Sequence, residues 1–307
     1  KEKGPPNETH VWLGYKWAFA CNGAIAAAYK IEEDLNACPH NTTLIEALSK
    51  CGQNISFTQL DPSRLSIKSD KFKAIVPCID PSMYQMNNPD EAVVAVNDEF
   101  KKGLEAVISL VSEEAQPIAL ASILMNGSSL ISTNGKMIFE KWHGNSLPSN
   151  LAVPKSFAEI LIKSNKVIKS FGYSISSVTI WFSDESWIKS QLYSEQWPDV
   201  MPILDMQSKA SPFPPDFFKA IEAIENFSET GLLYSRNGCL HSHLQEGIGA
   251  SFECSGIPPS LTFSARQMKL IKPWAETIDF FASLPNGGTC IKVFGKNQRG
   301  VIAGMIE

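Results

Sequence analysis

Apolar and polar residues follow the same order of elements three times along the chain, with a period of roughly 110 residues. Each copy has short apolar runs around a turn, then a helix with one apolar side, then strands in which apolar and polar residues alternate. A period of this length corresponds to a domain and not to one unit of a solenoid. The pattern therefore predicts an α+β chain of three repeated domains, at residues 1–95, 96–206 and 207–307.

The first element of each copy is a hairpin marked by the dipeptide Asn-Gly. This dipeptide is the strongest short-range hairpin signal, because both of its residues tolerate a positive φ. It stands at Asn22-Gly23, Asn134-Gly135 and Asn237-Gly238. The flanking apolar runs cover residues 11–15 and 26–29 in the first copy, 121–125, 130–132 and 137–139 in the second, and 231–234, 239–241 and 250–253 in the third.

A helix is predicted after each hairpin, within residues 37–48, 152–161 and 262–271. Pro39 and Pro154 stand near the first two helix starts. A proline suits that place, since it lacks the N–H group that the first helical turn leaves unsatisfied.

A second, leading helix is predicted at residues 97–108 and 214–224, where apolar residues recur at helical spacing with charges between them. The first copy has no such segment. We therefore expect that about 20 residues precede Lys1 in the protein, or that the first domain is degenerate.

Alternating strands close each copy. Strict alternation places one face of each strand in a core and the other in water. These strands are predicted at residues 54–58, 64–68 and 72–77, at residues 177–182, 187–188 and 190–193, and at residues 278–281, 290–294 and 300–303.

The composition is that of a globular chain. Hydrophobic residues make up 44% of the 307 residues, and no apolar run approaches the length of a membrane span. The seven cysteines form no C-x-x-C pair, which favours reduced thiols over a metal or disulfide framework. The net charge of -5 argues against tight binding of nucleic acid, although the predicted helices carry many cations.

No catalytic signature is found in the sequence. The patterns G-x-x-x-x-G-K-[ST], H-E-x-x-H and G-x-S-x-G do not occur. His241 and His243 alternate on one predicted strand and are of the kind that binds a metal, but no third ligand is evident nearby, so a surface or packing role is favoured. The sequence predicts neither an enzyme nor a cofactor.

Three copies of this unit resemble the bacterial sliding clamp, the beta subunit of DNA polymerase III, and its phage-encoded relatives. Residues 133–137 are similar to the Thr-Asp-Gly-His-Arg turn of that family, and residues 153–157 to its Val-Pro-Arg-Lys-Ala helix start. Residues 197–200 resemble the Phe-Pro-Asp-Tyr link between the middle and last domains, and residues 301–305 the last strand, which ends in Met-Pro-Met. The resemblance covers nearly the whole chain.

The resemblance implies a half ring with sheets outside and two helices per domain inside. Two chains would close head to tail as a homodimer around double-stranded DNA, without reading its sequence. A ring that slides needs only weak phosphate contacts, so the acidic net charge is no obstacle. The cations expected to face DNA are Lys101, Lys102, Lys155, Lys163, Lys219, Arg266, Lys269 and Lys272.

The resemblance also implies an apolar pocket that captures short peptides from a DNA polymerase, a clamp loader and other partners. Its walls would include Thr133, Gly135, Lys136, Met137, Ile138 and Met305. Lys136-Met137 replaces His-Arg, the usual Pro after the link is displaced to Pro202, and Gly304 stands where Pro is usual. These departures suggest a changed motif preference.

Two functions are therefore expected from the sequence. The first is a processivity factor in the cytoplasm, on the nucleoid or, for a phage-encoded chain, in the host cytoplasm. The alternative is a clamp-like interaction protein that binds clamp partners without encircling DNA. The lack of a leading helix in the first copy would favour the alternative.

Overall fold

The structure, a computed structural model, describes residues 4–112, 117–245, 247–284 and 287–303. These residues pack into two compact units. The first unit comprises the described residues of 1–101, 145–147 and 156–194, and the second those of 102–144, 148–155 and 195–307. The predicted domain boundaries at residues 95 and 206 remain predictions.

Seven α-helices occur within the described ranges. They are α1 (Pro6–Thr9), α2 (Asn41–Ser49), α3 (Asp98–Val107), α4 (Lys155–Lys163), α5 (Met201–Leu204), α6 (Phe217–Ile224) and α7 (Ala265–Ile271). The predicted helices correspond to α2, α4 and α7 after the hairpins and to α3 and α6 as leading helices. Pro154 ends the strand before α4 and so fixes extended backbone at the helix start, while the Ser264 hydroxyl caps α7 by accepting from the Gln267 N–H. None of the helices in the described part of the chain is both long and apolar enough to cross a membrane.

The described strands number 23. The strands of the first repeat and of the link after it are β1 (Trp12–Gly14), β2 (Trp17–Cys21), β3 (Ile25–Lys30), β4 (Asn36–Pro39), β5 (Ser56–Asp61), β6 (Arg64–Ser69), β7 (Phe72–Ile79) and β8 (Ala92–Ala95). Those of the second are β9 (Ser122–Asn126), β10 (Ser129–Thr133), β11 (Met137–Trp142), β12 (Ser149–Pro154), β13 (Ile168–Tyr173), β14 (Ser177–Phe182) and β15 (Trp187–Gln191). Those of the third are β16 (Ser211–Pro212), β17 (Leu232–Arg236), β18 (Cys239–His241), β19 (Ser251–Glu253), β20 (Thr262–Ser264), β21 (Thr277–Ser283), β22 (Thr289–Gly295) and β23 (Gln298–Ala303).

The first unit is built on an 11-stranded antiparallel sheet with the order β5-β6-β7-β4-β1-β2-β3-β15-β14-β13-β8. Its centre is the pairing of β3 from the first repeat with β15 from the second, in which Ala28 lies opposite Trp187. The turn at Asn22-Gly23 joins β2 to β3, so the first hairpin has one more strand than the apolar runs predict. The strand was missed because β2, Trp17–Cys21, carries half-buried residues on both faces and shows no alternation.

The second unit contains an eight-stranded sheet and a four-stranded sheet. The eight-stranded sheet has the order β12-β9-β10-β11-β23-β22-β21-β16, and the four-stranded sheet the order β19-β18-β17-β20. Here too the strands of two repeats join, because β11 pairs with β23 from Met137 opposite Ile302 to Lys141 opposite Gln298. Each large sheet therefore combines strands of consecutive repeats.

Apolar side chains fill the space between helices and sheets. In the first unit Leu44 of α2 packs with Leu65 and Val76 of the neighbouring strands. In the second unit, Phe217 of α6 is buried against Phe263 and Phe280. This burial is what holds the short helices in place, since helices of this length are marginal on their own.

Candidate functional sites

Helices α6 and α7 carry three of the cations expected to face DNA and Lys272 directly follows α7; all four residues are exposed. Carboxylates neutralise three of them: Lys219 lies 3.7 Å from Asp216, Lys269 lies 2.8 Å from Glu225, and Lys272 pairs with Glu222. Arg266 has no ion pair within the described residues. The positive potential of this helix pair is therefore much weaker than the count of cations suggests.

Helices α3 and α4 and their flanks hold the other four predicted cations. Lys102 and Lys163 are exposed, whereas Lys101 and Lys155 are half-buried. Lys101 donates to the backbone carbonyl of Ser164, and Lys163 lies 3.9 Å from Glu159. Seven of the eight cations thus lie in helices and Lys272 directly follows one, but several are held by neighbouring acceptors.

The predicted peptide pocket centres on the hairpin formed by β10 and β11. The Thr133 hydroxyl donates to the Met137 carbonyl at 2.8 Å and accepts from the Gly135 N–H at 3.1 Å. Gly135 has a φ of +81°, which a residue with a side chain rarely adopts. The turn therefore fixes where Lys136, an exposed side chain at its tip, leaves the hairpin.

The residues predicted for the pocket divide between two faces of the sheet. Thr133 lies opposite Ile138, so these two side chains share one face, here called the front face. Met137 is next in the strand and points to the other, back face. It is 2% exposed and lines a cavity of about 460 Å³ together with Phe139 and Trp274, whose rings stack 4.6 Å apart. The structure brings Thr133 and Ile138 together but not Met137 with them.

The link between the second and third repeats crosses the front face. At its start the buried Trp197 donates its indole N–H to the Ser122 hydroxyl at 2.8 Å. Between the link and strands β9 and β12 lies a cavity of about 350 Å³, which we call the link cavity. Its lining residues are Leu124, Asn126, Asn150 and Ala152 from the strands and residues 195–201 from the link. Of the sequence motifs, only the link motif at residues 197–200 falls in it.

Two cations of the third repeat hold the far end of the link. Arg299 is bonded to the buried Glu140 at 2.6 Å and donates to the Leu204 carbonyl at 2.9 Å. The Lys292 ammonium, on a residue only 3% exposed, donates to the Met206 carbonyl. Burial lowers the pKa of Lys292, and the nearby Arg299 lowers it further. Hydrogen bonds to the sheet therefore hold the link at both ends.

Sequence reasoning missed the residues that hold the link. Glu140 and Arg299 are 159 positions apart, and nothing in the local pattern connects them. The strand residues that line the link cavity lie in apolar runs, and the sequence pattern does not distinguish them from core residues. Met305, also predicted for the pocket, lies outside the described residues. Within those residues no group of three or more His, Cys, Asp or Glu side chains is placed to hold a metal ion.

Comparison with solved structures finds this architecture in bacterial replication proteins. The DNA polymerase sliding clamp of Pseudomonas aeruginosa superposes with a TM-score of 0.77 at 13% identity, over 100% of this chain and 94% of that one. The Helicobacter pylori beta clamp bound to a DNA ligase peptide superposes with a TM-score of 0.77 at 13% identity, over 99% of this chain and 93% of that one. The C. crescentus beta sliding clamp superposes with a TM-score of 0.79 at 15% identity, over 100% of this chain and 93% of that one.

Comparison of the sequence alone identifies no relative. No family model matches the chain, and no curated protein does. The likeness is therefore one of fold, and it extends over essentially the whole length of chain and neighbours alike. The chain has the α+β fold of the bacterial DNA polymerase III beta sliding clamp.

Proposed function

We propose that this protein is a DNA sliding clamp. It acts in the cytoplasm as a processivity factor, without catalysis: two copies close head to tail around duplex DNA and tether a polymerase, a clamp loader and other partners through short peptide motifs. The observation that carries the proposal is the match of the whole chain to clamps with a TM-score of 0.76–0.79. Partial matches confined to one repeat would not support a ring.

The charge distribution of the helices agrees with sliding. Each phosphate contact that a protein makes releases counterions and strengthens binding, so a protein that moves along DNA benefits from few such contacts. Glu222 and Glu225 neutralise two lysines of α7 and its C-terminal end. The resulting weak attraction keeps the duplex centred without holding it at one place.

The front face supports a role in peptide capture. The link cavity is concave, has an apolar floor of Leu124 and Ala152, and is held by fixed hydrogen bonds at both ends of the link. The H. pylori neighbour was solved with a DNA ligase peptide bound. By analogy, we assign partner motifs of this chain to the front face, around Thr133, Ile138 and the link, with Lys136 at the rim.

Topological retention on DNA tests the ring. The protein is mixed with nicked circular plasmid at low salt, passed through a sizing column at high salt, and then treated with a single-cutting restriction enzyme. A ring remains with the circle in high salt and is lost once the DNA is linear. Light scattering on the same sample gives twice the 33.8 kDa of one chain for the dimer.

The second candidate function is a clamp-like protein that binds clamp partners without encircling DNA. The ion pairs on α6 and α7 agree with this function as well as with sliding, because they leave little charge to attract DNA. A chain that stays monomeric at all concentrations and is never retained on circles would exclude the ring and leave this function.

A further inference from the structure

The 11-stranded sheet of the first unit carries an open aromatic cavity, here called the tryptophan cavity. Its volume is about 440 Å³. The residues that form its walls and rim include Trp17, Trp181, Trp187, Ser170, Lys169 and Glu185. All of them belong to the first unit, and none belongs to the hairpin or link discussed above.

The register of the strands explains why a cavity forms there. Trp187 of β15 lies opposite Trp181 on one side and opposite Ala28 on the other. Beyond Trp181 the next strand offers Ser170. Two adjacent indoles are thus flanked on each side by a small side chain, and the small side chains leave open space beside the indole rings.

The corresponding strands of the second unit show how such a space is otherwise filled. Arg299 of β23 has the place that Trp187 has on β15, and Glu140 has the place of Ala28. Arg299 closes that space by bonding to Glu140 and to the link carbonyl of Leu204. The first unit has neither the arginine nor the carboxylate at these positions, so its space stays open.

The charges at the rim are unequal. Glu185 is paired with Lys30, whose ammonium lies 5.5 Å above the ring of Trp17. That carboxylate is therefore already neutralised. Lys169, which is exposed, has no ion pair within the described residues, so the rim keeps one positive charge beside an aromatic wall.

The edge of the sheet lies beside the same cavity. Strand β8 is the last strand of the sheet, and among the described strands it pairs with β13 alone. Its Ala92 lines the cavity, and Val93 beside it is 57% exposed. An unpaired strand edge can accept the backbone of an extended peptide as a further strand.

We propose that the tryptophan cavity binds a short extended peptide of a partner protein. An aromatic anchor side chain of the peptide enters the cavity between the indoles, and the carboxylate of the following residue pairs with Lys169. Aromatic anchors in such pockets contribute most of the affinity of small interfaces. This site is separate from the front face, and it does not depend on whether the protein encircles DNA.

Single-stranded nucleic acid is the less favoured occupant. Aromatic side chains on a sheet also stack on bases, but binding of a strand needs a groove with several cations that follows the phosphates. Here, among the described residues, Lys169 is the rim cation without an ion pair, and the carboxylate of Glu185 lies close enough to interact with it electrostatically. The single unpaired positive charge at this rim favours a ligand with one negative group.

The test uses fluorine NMR of the full chain labelled with 5-fluorotryptophan, in which the seven tryptophans give separate signals assigned from single Trp→Phe variants. The probes are two capped hexapeptides, Ser-Gly-Phe-Asp-Gly-Ser and Ser-Gly-Phe-Lys-Gly-Ser. We expect the Phe-Asp probe to shift the signals of Trp17, Trp181 and Trp187 and to leave the others in place.

A charge exchange makes the test specific. Lys169→Glu should weaken binding of the Phe-Asp probe about fivefold and strengthen binding of the Phe-Lys probe by a similar factor, as expected for a charge pair at a rim. Trp17→Ala, at a half-buried position, should weaken binding of the Phe-Asp probe about tenfold or more. Two control variants should leave the affinity of both probes unchanged. They are Lys73→Glu, at an exposed lysine elsewhere on the sheet, and Phe281→Ala, at an exposed aromatic of the second unit.

Three results would overturn the proposal. One is the absence of shifts at these three indoles with the Phe-Asp probe. Another is an equal effect of Lys169→Glu and Lys73→Glu. The third is stronger binding of an oligothymidylate than of the peptide at the same indoles, which would assign the cavity to nucleic acid. Far-UV circular dichroism of each variant separates lost binding from lost folding.

Discussion

Arg299 and Glu140 form a nearly buried ion pair across the junction of two repeats. The Arg299 Nε lies 2.6 Å from a Glu140 carboxylate oxygen, and the two residues face each other on neighbouring strands. Glu140 also accepts from the Ser129 hydroxyl, and Arg299 also reaches the link. One pair of charges therefore connects strand β11, strand β23 and the segment that crosses the front face.

Arg299→Met should destabilise the protein by about 3 kcal/mol, because it leaves the Glu140 carboxylate buried without its counter-charge. The double variant Arg299→Met with Glu140→Gln should recover part of this loss, since the remaining amide carries no charge. Urea unfolding followed by circular dichroism measures both. Lys163→Met, which breaks an exposed pair, is the control and should cost no more than about 1 kcal/mol. Equal losses for the single and the double variant would contradict this account.

Gly172→Ala should destabilise the first unit by about 3 kcal/mol through overpacking. A Cβ at this position would lie 2.3 Å from the Glu91 carbonyl oxygen and 2.7 Å from that of Asp90, and a backbone atom cannot rotate away. The segment cannot shift easily, because the Asp90 carboxylate accepts from the hydroxyls of Ser177 and Thr179.

The matched control for this glycine is Gly4→Ala. Its Cβ would come closest to the end of the Thr9 side chain, at 3.3 Å, and would meet Glu8 at ordinary contact distance, so the free energy of unfolding should change by less than about 0.5 kcal/mol. If urea midpoints of the two alanine variants coincide, the close approach at Gly172 is not a constraint.

Stability should fall as the pH is lowered from 7.5 to 5. Burial lowers the pKa of His143 to about 4, from an ordinary value of 6.5. The unfolded chain therefore binds a proton in this range that the folded chain does not, so the stabilisation is present above pH 6.5 and decreases toward pH 4. The slope for one such group is at most about 1.4 kcal/mol per pH unit.

The variant His143→Gln should flatten this dependence. Some slope should remain, because the pKa of His10 is also lowered, first by burial and then by the neighbouring His40. Urea unfolding at several pH values checks both statements. An unchanged slope in the variant would show that protonation of His143 does not contribute to the pH dependence of stability.

Removing carboxylates from the helix pair should strengthen DNA binding. The double variant Glu222→Gln with Glu225→Gln leaves Lys269 and Lys272 without their partners. If these lysines face DNA, the affinity for a short duplex should rise, and the slope of log affinity against log salt should become steeper by up to about 1.8 for two more phosphate contacts.

Fluorescence anisotropy with a labelled linear duplex measures that slope. Glu32→Gln with Glu195→Gln changes the net charge equally at exposed positions outside the two helices and their flanks and serves as the control. A similar steepening in both double variants would indicate a general charge effect. Under the alternative function, neither variant would bind duplex DNA specifically through these helices.

Much of the local structure could be predicted from the sequence. Asn134-Gly135 lies at the turn of a hairpin, as expected from its tolerance of positive φ, and α4 begins directly after Pro154. These features depend on residues close in sequence. Strand β13 was missed, because Ile168–Tyr173 is broken by a bulge and its Gly172 weakens the alternating pattern.

The arrangement of the candidate sites was less predictable. The pairing of β11 with β23 and of β3 with β15 depends on contacts between distant segments, which periodicity does not encode. The same holds for the division of Thr133 and Met137 between two faces, which needs the strand boundaries to within one residue. The ion pairs of the helix cations were not predictable either, since Glu225 pairs with Lys269, which lies 44 positions further along the chain in another helix.

The joining of strands from consecutive repeats has a consequence for how this chain can be cut and how it folds. A fragment ending at residue 206 would contain β11 but not β23. The edge of β11 would then expose unpaired N–H and C=O groups, which can pair with other chains and cause aggregation. During synthesis β11 has no partner strand until residues 298–303 have been made, more than 150 residues after β11 itself. Excised single repeats should therefore be poorly soluble, and refolding of the whole chain should be slow, since its sheets close over long sequence separations.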